Sequence, residues 1–193
     1  MNNNKSVCKS KMCAGCMACI DACPKNAIQL IDNLSFYDCV IDTHKCISCG
    51  KCTKVCQNIH EVEKKEPISW YQGWANDIQI RIKGSSGGVA TAIACGFLEQ
   101  GGMCCLCSIE QDTIGFHIID DNANIKFTSG SKYVKSTPKG IYKRIKKLIS
   151  EGKKVLFIGL PCQCAALHNY IGKSELLFTV DLICHATPSH KLL

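Results

Sequence analysis

"CAGCMACIDACP", residues 13–24, returns 33 residues later as "CISCGKCTKVCQ", residues 46–57. Both runs have the spacing C-x2-C-x2-C-x3-C, with Cys13, Cys16, Cys19 and Cys23 in the first and Cys46, Cys49, Cys52 and Cys56 in the second. Three thiolates so closely spaced cap three irons of a cube, and the fourth ligand must come from elsewhere. In bacterial ferredoxin runs of this spacing, the fourth cysteine ligates the other cluster. The repeat therefore predicts two [4Fe–4S] clusters: one on Cys13, Cys16, Cys19 and Cys56, the other on Cys46, Cys49, Cys52 and Cys23. Gly15 and Gly50 lend the tight loops backbone freedom. Pro24 ends the first run, whereas Gln57 stands where the second would carry proline. Structural zinc prefers two CxxC knuckles a dozen or more residues apart, a gap that each run lacks. Cys8 and Cys39 fall outside the runs and read as small buried residues rather than ligands. Residues 1–60 are expected to form an α+β dicluster ferredoxin module.

The wider composition agrees. Seventeen of the 193 residues are cysteine, a level reached by small disulfide frameworks. The start, "MNNNKSVCKSKMC", lacks the apolar stretch and small-residue cleavage site of an export signal, so a cytoplasmic chain is expected. In that compartment cysteines hold metal or do redox chemistry rather than form disulfides. No apolar run reaches about 18 residues, so no membrane span is expected. The formal charge is +7. Each four-thiolate cluster carries about −2, which brings the loaded chain to roughly +3. Arginine occurs only at Arg81 and Arg144, with no basic stripe interleaved with aromatics, and no nucleic-acid partner is expected.

"HEVEKKEP", residues 60–67, mixes charge signs without periodicity, so residues 61–68 read as a linker. Beyond it, residues 69–193 alternate helix and strand patterns. An apolar helix is expected from Val89 to Gln100, stopped by Gly101 and Gly102. "MCCLCSI" and "TIGFHIID" read as strands, with Cys104–Cys107 in the core. A second helix has Thr137 as its N-cap and Pro138 in its first turn. Ile141, Ile145, Leu148 and Ile149 share its inner face, and Lys143, Lys146 and Lys147 its solvated one. "KVLFIG" and "LLFTVDLIC" are continuous apolar runs, as in parallel strands covered on both faces, joined by a crossover helix from Pro161 to about Tyr170. The expected fold is an α/β domain with a partly parallel, incomplete sheet. Trp70 and Trp74 read as packing residues.

Ligands of such sheets bind at the carboxyl edge of the strands. Cys162, just beyond the first strand, and Cys184, at the end of the second, are expected along that rim. Cys162 also begins a helix, whose dipole favours thiolate. Cys164 points to a different side of the helix and reads as core, so the two are not a CxC redox pair. "GSSGG", residues 84–88, and "SGSKYV", residues 129–134, are small-residue loops that could approach a phosphate, with Lys132 to neutralise charge.

In order and spacing, "GSSGGVATAI", "SGSKYVKS", "GKKVLFIGLPCQCAAL" and "VDLICHATPS" resemble the coenzyme F-420 hydrogenase/dehydrogenase beta-subunit family, in members fused to a dicluster ferredoxin. The resemblance implies an iron–sulfur flavoprotein that binds FAD and passes electrons between clusters and a two-electron carrier, coenzyme F-420 in the namesake enzymes. It implies Ser85, Ser86, Gly87, Gly88, Ser131, Lys132 and Tyr133 around the flavin phosphates. It likewise implies Pro161, Cys162 and Gln163 in a turn near flavin and cluster, and a third cluster for which Cys162 and Cys184 are candidate ligands. A redox partner protein or low-potential donor is the expected source of electrons. Because family members continue past the last motif, the sheet is expected to lack strands and the flavin pocket a wall. The alternative is a ferredoxin-type carrier whose α/β part serves for docking.

Overall fold

The computed structural model describes residues 5–110 and 113–192; residues 1–4 of the leader reading and Leu193 at the chain end lie outside it. The first module contains β1 (Lys5–Ser6), α1 (Ala18–Ala22), β2 (Ile28–Asp32), β3 (Tyr37–Ile41) and α2 (Lys51–Val55). Its antiparallel sheet has the order β1-β3-β2, with Ile28 opposite Ile41 and Asp32 opposite Tyr37.

The two cysteine runs repeat in backbone as well as in spacing. Gly15 and Ser48, 33 positions apart, both have positive φ (65° and 53°), and so do Met17 and Gly50 (61° and 70°). Each run thus needs two left-handed residues and supplies glycine at only one, at opposite positions. Met17 and Gly50 then begin α1 and α2 as N-caps.

The second module contains α3 (Ile78–Lys83), α4 (Val89–Glu99), β4 (Met103–Glu110), β5 (Thr113–Ile119), α5 (Ile141–Ser150), β6 (Val155–Gly159), α6 (Pro161–Ile171) and β7 (Leu177–Asp181). Its sheet has the order β5-β4-β6-β7; β4 and β5 pair antiparallel, while β4, β6 and β7 run parallel. Alternation along each strand splits the side chains between two faces. Cys104, Leu106, Leu156 and Ile158 pack with Ala94 and Leu98 of α4. Cys105, Phe116, Val155 and Phe157 pack on the other face with Ile141, Tyr142 and Ile145 of α5 and Cys164, Ala166 and Leu167 of α6. Phe116 stacks on Phe157 with centroids 5.0 Å apart. This second core continues without a break into Val7, Ala18, Cys19, Ile28 and Cys39 of the first module. The modules are joined by a shared interior, although residues 61–67 carry no regular structure.

Several expectations need correction. Helix α5 begins at Ile141 with Gly140, not Thr137, as its N-cap. Thr137 N–H instead donates to the Ile114 carbonyl, as an extended residue beside β5. The helix start is fixed by Asp21 of the first module, whose carboxylate accepts the N–H groups of Gly140 (2.7 Å) and Tyr142 (3.2 Å). Strand β7 is an edge of the sheet, so its apolar run is only partly covered and Phe178 is exposed. Trp70 and Trp74 are not packing residues: they are 86% and 62% exposed, because no described element lies over their segment. The Arg81 guanidinium lies 5.8 Å from the Trp74 ring. The solvated lysine face of α5 is as expected, with Lys143, Lys146 and Lys147 exposed. No helix among the described residues is long and apolar enough to cross a membrane.

Candidate functional site

Two cavities lie in the first module. Cys13, Cys16, Cys19 and Cys56 line one, together with Cys8 and Cys39. Cys23, Cys46, Cys49 and Cys52 line the other. The last cysteine of each run thus stands in the wall of the other run's cavity, because α1 and α2 pack side by side and each ends in an extended cysteine. The thiols ring these spaces rather than converge: among the described residues no three His, Cys, Asp or Glu side chains close on a single ion.

Backbone N–H groups face the sulfurs. Gly15 donates to Cys13 (3.4 Å), Ser48 to Cys46 at the equivalent position (3.4 Å), and Ala27 to Cys23 (3.3 Å). Burial pushes the Cys16, Cys52 and Cys56 thiols above their ordinary range. Thiolates at these positions therefore need a cationic core to compensate them, which an iron–sulfur cube supplies on binding. The Cys13 and Cys39 sulfurs lie 3.8 Å apart. With Cys13 deprotonated as a ligand, Cys39 is the donor. That bond pulls Cys13 down to about 6 against its burial, and pushes Cys39 up. Burial and the neighbouring Cys13 hold Cys8 up at about 12. The donor set fits two four-thiolate clusters. Its second cavity is the more open, since Cys49 is exposed.

The first cavity abuts the α/β module. Tyr142, fully buried in α5, donates its hydroxyl to the Cys16 carbonyl (2.7 Å), and Tyr170 of α6 reaches the Asp21 carbonyl (3.3 Å). Burial lifts the Asp21 carboxyl above its ordinary range despite the N–H groups of α5. Lys135 is 8% exposed, donates to the Ala14 carbonyl inside the first cysteine run, and lies 4.0 Å from Cys162 Sγ. Nothing in the sequence singled out Lys135, Asp21 or Tyr142.

At the rim, Cys162 opens α6 and lies near enough to Cys16 and Cys184 for their charges to act on it. Cys184 is exposed, three residues past the end of β7 rather than within it. The Cys162 thiol is raised, not lowered as its place at a helix start suggested: burial outweighs the opposing Lys135 ammonium. Cys164 is core, its thiol facing the Val180 carbonyl (3.8 Å). Gln163 is a clamp rather than a rim group. Fully buried, it accepts the Leu160 N–H (3.0 Å) and donates to Ser136 Oγ (3.1 Å), tying the turn to the segment that carries Lys135. Pro161 is exposed.

The two small-residue loops meet, with Ser131 N–H donating to Ser85 Oγ (2.7 Å). Ser85, Ser86, Ser131 and Tyr133 are exposed, and Gly87 and Gly88 half-buried. Lys132 turns onto the carbonyls of Thr128, Ser129 and Gly130 of its own loop, and desolvation lowers its pKa. The Ser131 N–H is taken up by Ser85, and Lys132 is held by carbonyls of its own loop.

Residues 12–59 match the sequence model of the 4Fe-4S dicluster domain. Residues 70–139 match that of the coenzyme F-420 hydrogenase/dehydrogenase, beta subunit N-terminal domain. No curated protein matches the chain. Among solved structures, the fold is similar to a chain of the F-420-reducing [NiFe] hydrogenase complex from Methanosarcina barkeri, at a TM-score of 0.51 and 24% identity. The match covers 61% of this chain and 44% of that one, so this chain spans less than half the length of that relative.

Proposed function

We propose that this chain, an iron–sulfur electron-transfer protein related to the coenzyme F-420 hydrogenase beta subunit, conducts electrons between two [4Fe–4S] clusters and the rim of its α/β domain. One cluster is held by Cys13, Cys16, Cys19 and Cys56, the other by Cys46, Cys49, Cys52 and Cys23. The observation that carries this reading is the exchange of Cys23 and Cys56 between the two cavities. At the rim we assign FAD to the loops of Ser85, Ser86, Gly87, Gly88, Ser131, Lys132 and Tyr133, beside Pro161 and Cys162. Cys162 and Cys184 are the thiols open to a further cluster there. The clusters supply single electrons and the flavin converts them to two-electron chemistry on a carrier such as coenzyme F-420. A redox protein or other low-potential donor serves the exposed second cavity. The residues of the chain hold the thiolates, neutralise part of their charge, and keep water from the first cavity.

Flavin content tests the rim assignment. Chain reconstituted anaerobically with iron, sulfide and FAD is expected to retain about one FAD through gel filtration, and Ser85→Trp to lose it while keeping its iron. Brown protein that never retains FAD would make the chain a carrier whose α/β part serves for docking.

A further inference from the structure

Lys135 is a buried cation, and among the described residues no carboxylate forms an ion pair with it. Its ammonium faces the Ala14 carbonyl, Cys162 Sγ and, 5.9 Å away, the ring of Tyr37. Its backbone is fixed as well, its N–H donating to the Pro188 carbonyl (3.0 Å). Taking an unpaired ammonium out of water is unfavourable unless an anion answers it. Ala14 lies between Cys13 and Cys16, so the four-thiolate set of the first cavity stands beside this ammonium. Lys5 and Lys25 also stand at the second cavity, but both are exposed and screened by water. The two cavities therefore differ in fixed, desolvated charge.

We infer that Lys135 is a positioning charge that raises the reduction potential of the first-cavity cluster above that of its partner, so that electrons collect on the side facing the α/β rim. This rests on the two-cluster reading above. The redox event is a single-electron shift from the reduced second-cavity cluster to the oxidised first-cavity cluster, with no bond made or broken. A one-electron low-potential donor, dithionite in the laboratory, replaces the electron. An added electron makes a cluster more negative, and a desolvated cation hydrogen-bonded to a carbonyl of its ligand loop favours that state.

The test is a potentiometric titration of the anaerobic, iron-loaded chain followed by electron paramagnetic resonance. Cys39→Ala, which removes a thiol from the first cavity, marks which wave belongs to that cluster. Lys135→Gln and Lys135→Met are expected to lower that wave alone, shifting the sharing of an electron between the clusters about tenfold, or about 59 mV. Lys135→Arg is expected to restore it. Should both neutral variants lose iron from the first cavity while Lys135→Arg keeps it, the charge is again assigned to that cluster. Potentials that stay put or move together in variants with full iron would overturn the inference and leave the two-cluster reading standing. So would loss of iron in all three variants. A wild-type chain without iron would instead overturn the reading beneath it.

Discussion

Cys56→Ala is expected to empty the first cavity while leaving the cluster of its own run intact, bringing iron from about eight to about four per chain. Cys8 lines the same wall and hydrogen-bonds Cys56, so the experiment belongs in a Cys8→Ala background, where this neighbouring thiol cannot step in. Double variants separate crossed from self-contained ligation. If ligands cross, adding Cys13→Ala to Cys56→Ala removes nothing further, because both serve one cluster. Adding Cys46→Ala instead strips the remaining iron. Self-contained runs give the reverse pattern. The logic is that of any double-mutant cycle: residues that act as a unit are not additive, and independent ones are.

Tyr142→Ala is the substitution with the largest expected effect on stability. The side chain is fully buried, its ring lies 5.8 Å from that of Tyr170, and its hydroxyl holds the Cys16 carbonyl. Truncating a buried aromatic costs about 3–5 kcal/mol. Here the cavity would open at the seam between the modules, beside the first cluster. Tyr142→Phe removes only the hydroxyl and is expected to cost about 1–2 kcal/mol, the price of one unanswered buried carbonyl. In denaturant under argon, cluster absorbance and circular dichroism should report one shared transition for the wild-type and Phe chains. In the Ala chain the two signals are expected to separate, the ferredoxin part losing its support. A Tyr142→Ala chain within about 1 kcal/mol of wild type would mean that the seam is not structural.

The contrast between the cysteines and these buried polar residues explains what the sequence made legible. Cys13 to Cys56 announce themselves because cluster ligation demands fixed local spacing, so chemistry is written within a dozen residues. The placement of Cys56 in the wall of the first run's cavity was legible for the same steric reason. Likewise the apolar run of β6 and the lysine face of α5 follow from period alone. Asp21, Tyr142 and Lys135 act across 119 to 126 residues of chain, and no local pattern distinguishes a lysine that will be buried from its many solvated neighbours. The N-cap of α5 was misplaced because its capping carboxylate comes from α1 instead of from a neighbour in sequence. Trp70 and Trp74 misled for a related reason: aromatic character says that a side chain can be buried, and only an adjoining element decides whether it is. Strand β7 has the apolar run of an interior strand, yet sheet order puts it at the edge.

The central claim is that the two cysteine-lined cavities hold iron–sulfur cubes, and elemental analysis of anaerobically purified chain tests it most directly. About eight irons and eight acid-labile sulfides per chain, with a brown absorption that dithionite bleaches, is the predicted result. Colourless protein carrying stoichiometric zinc and no labile sulfide would contradict it.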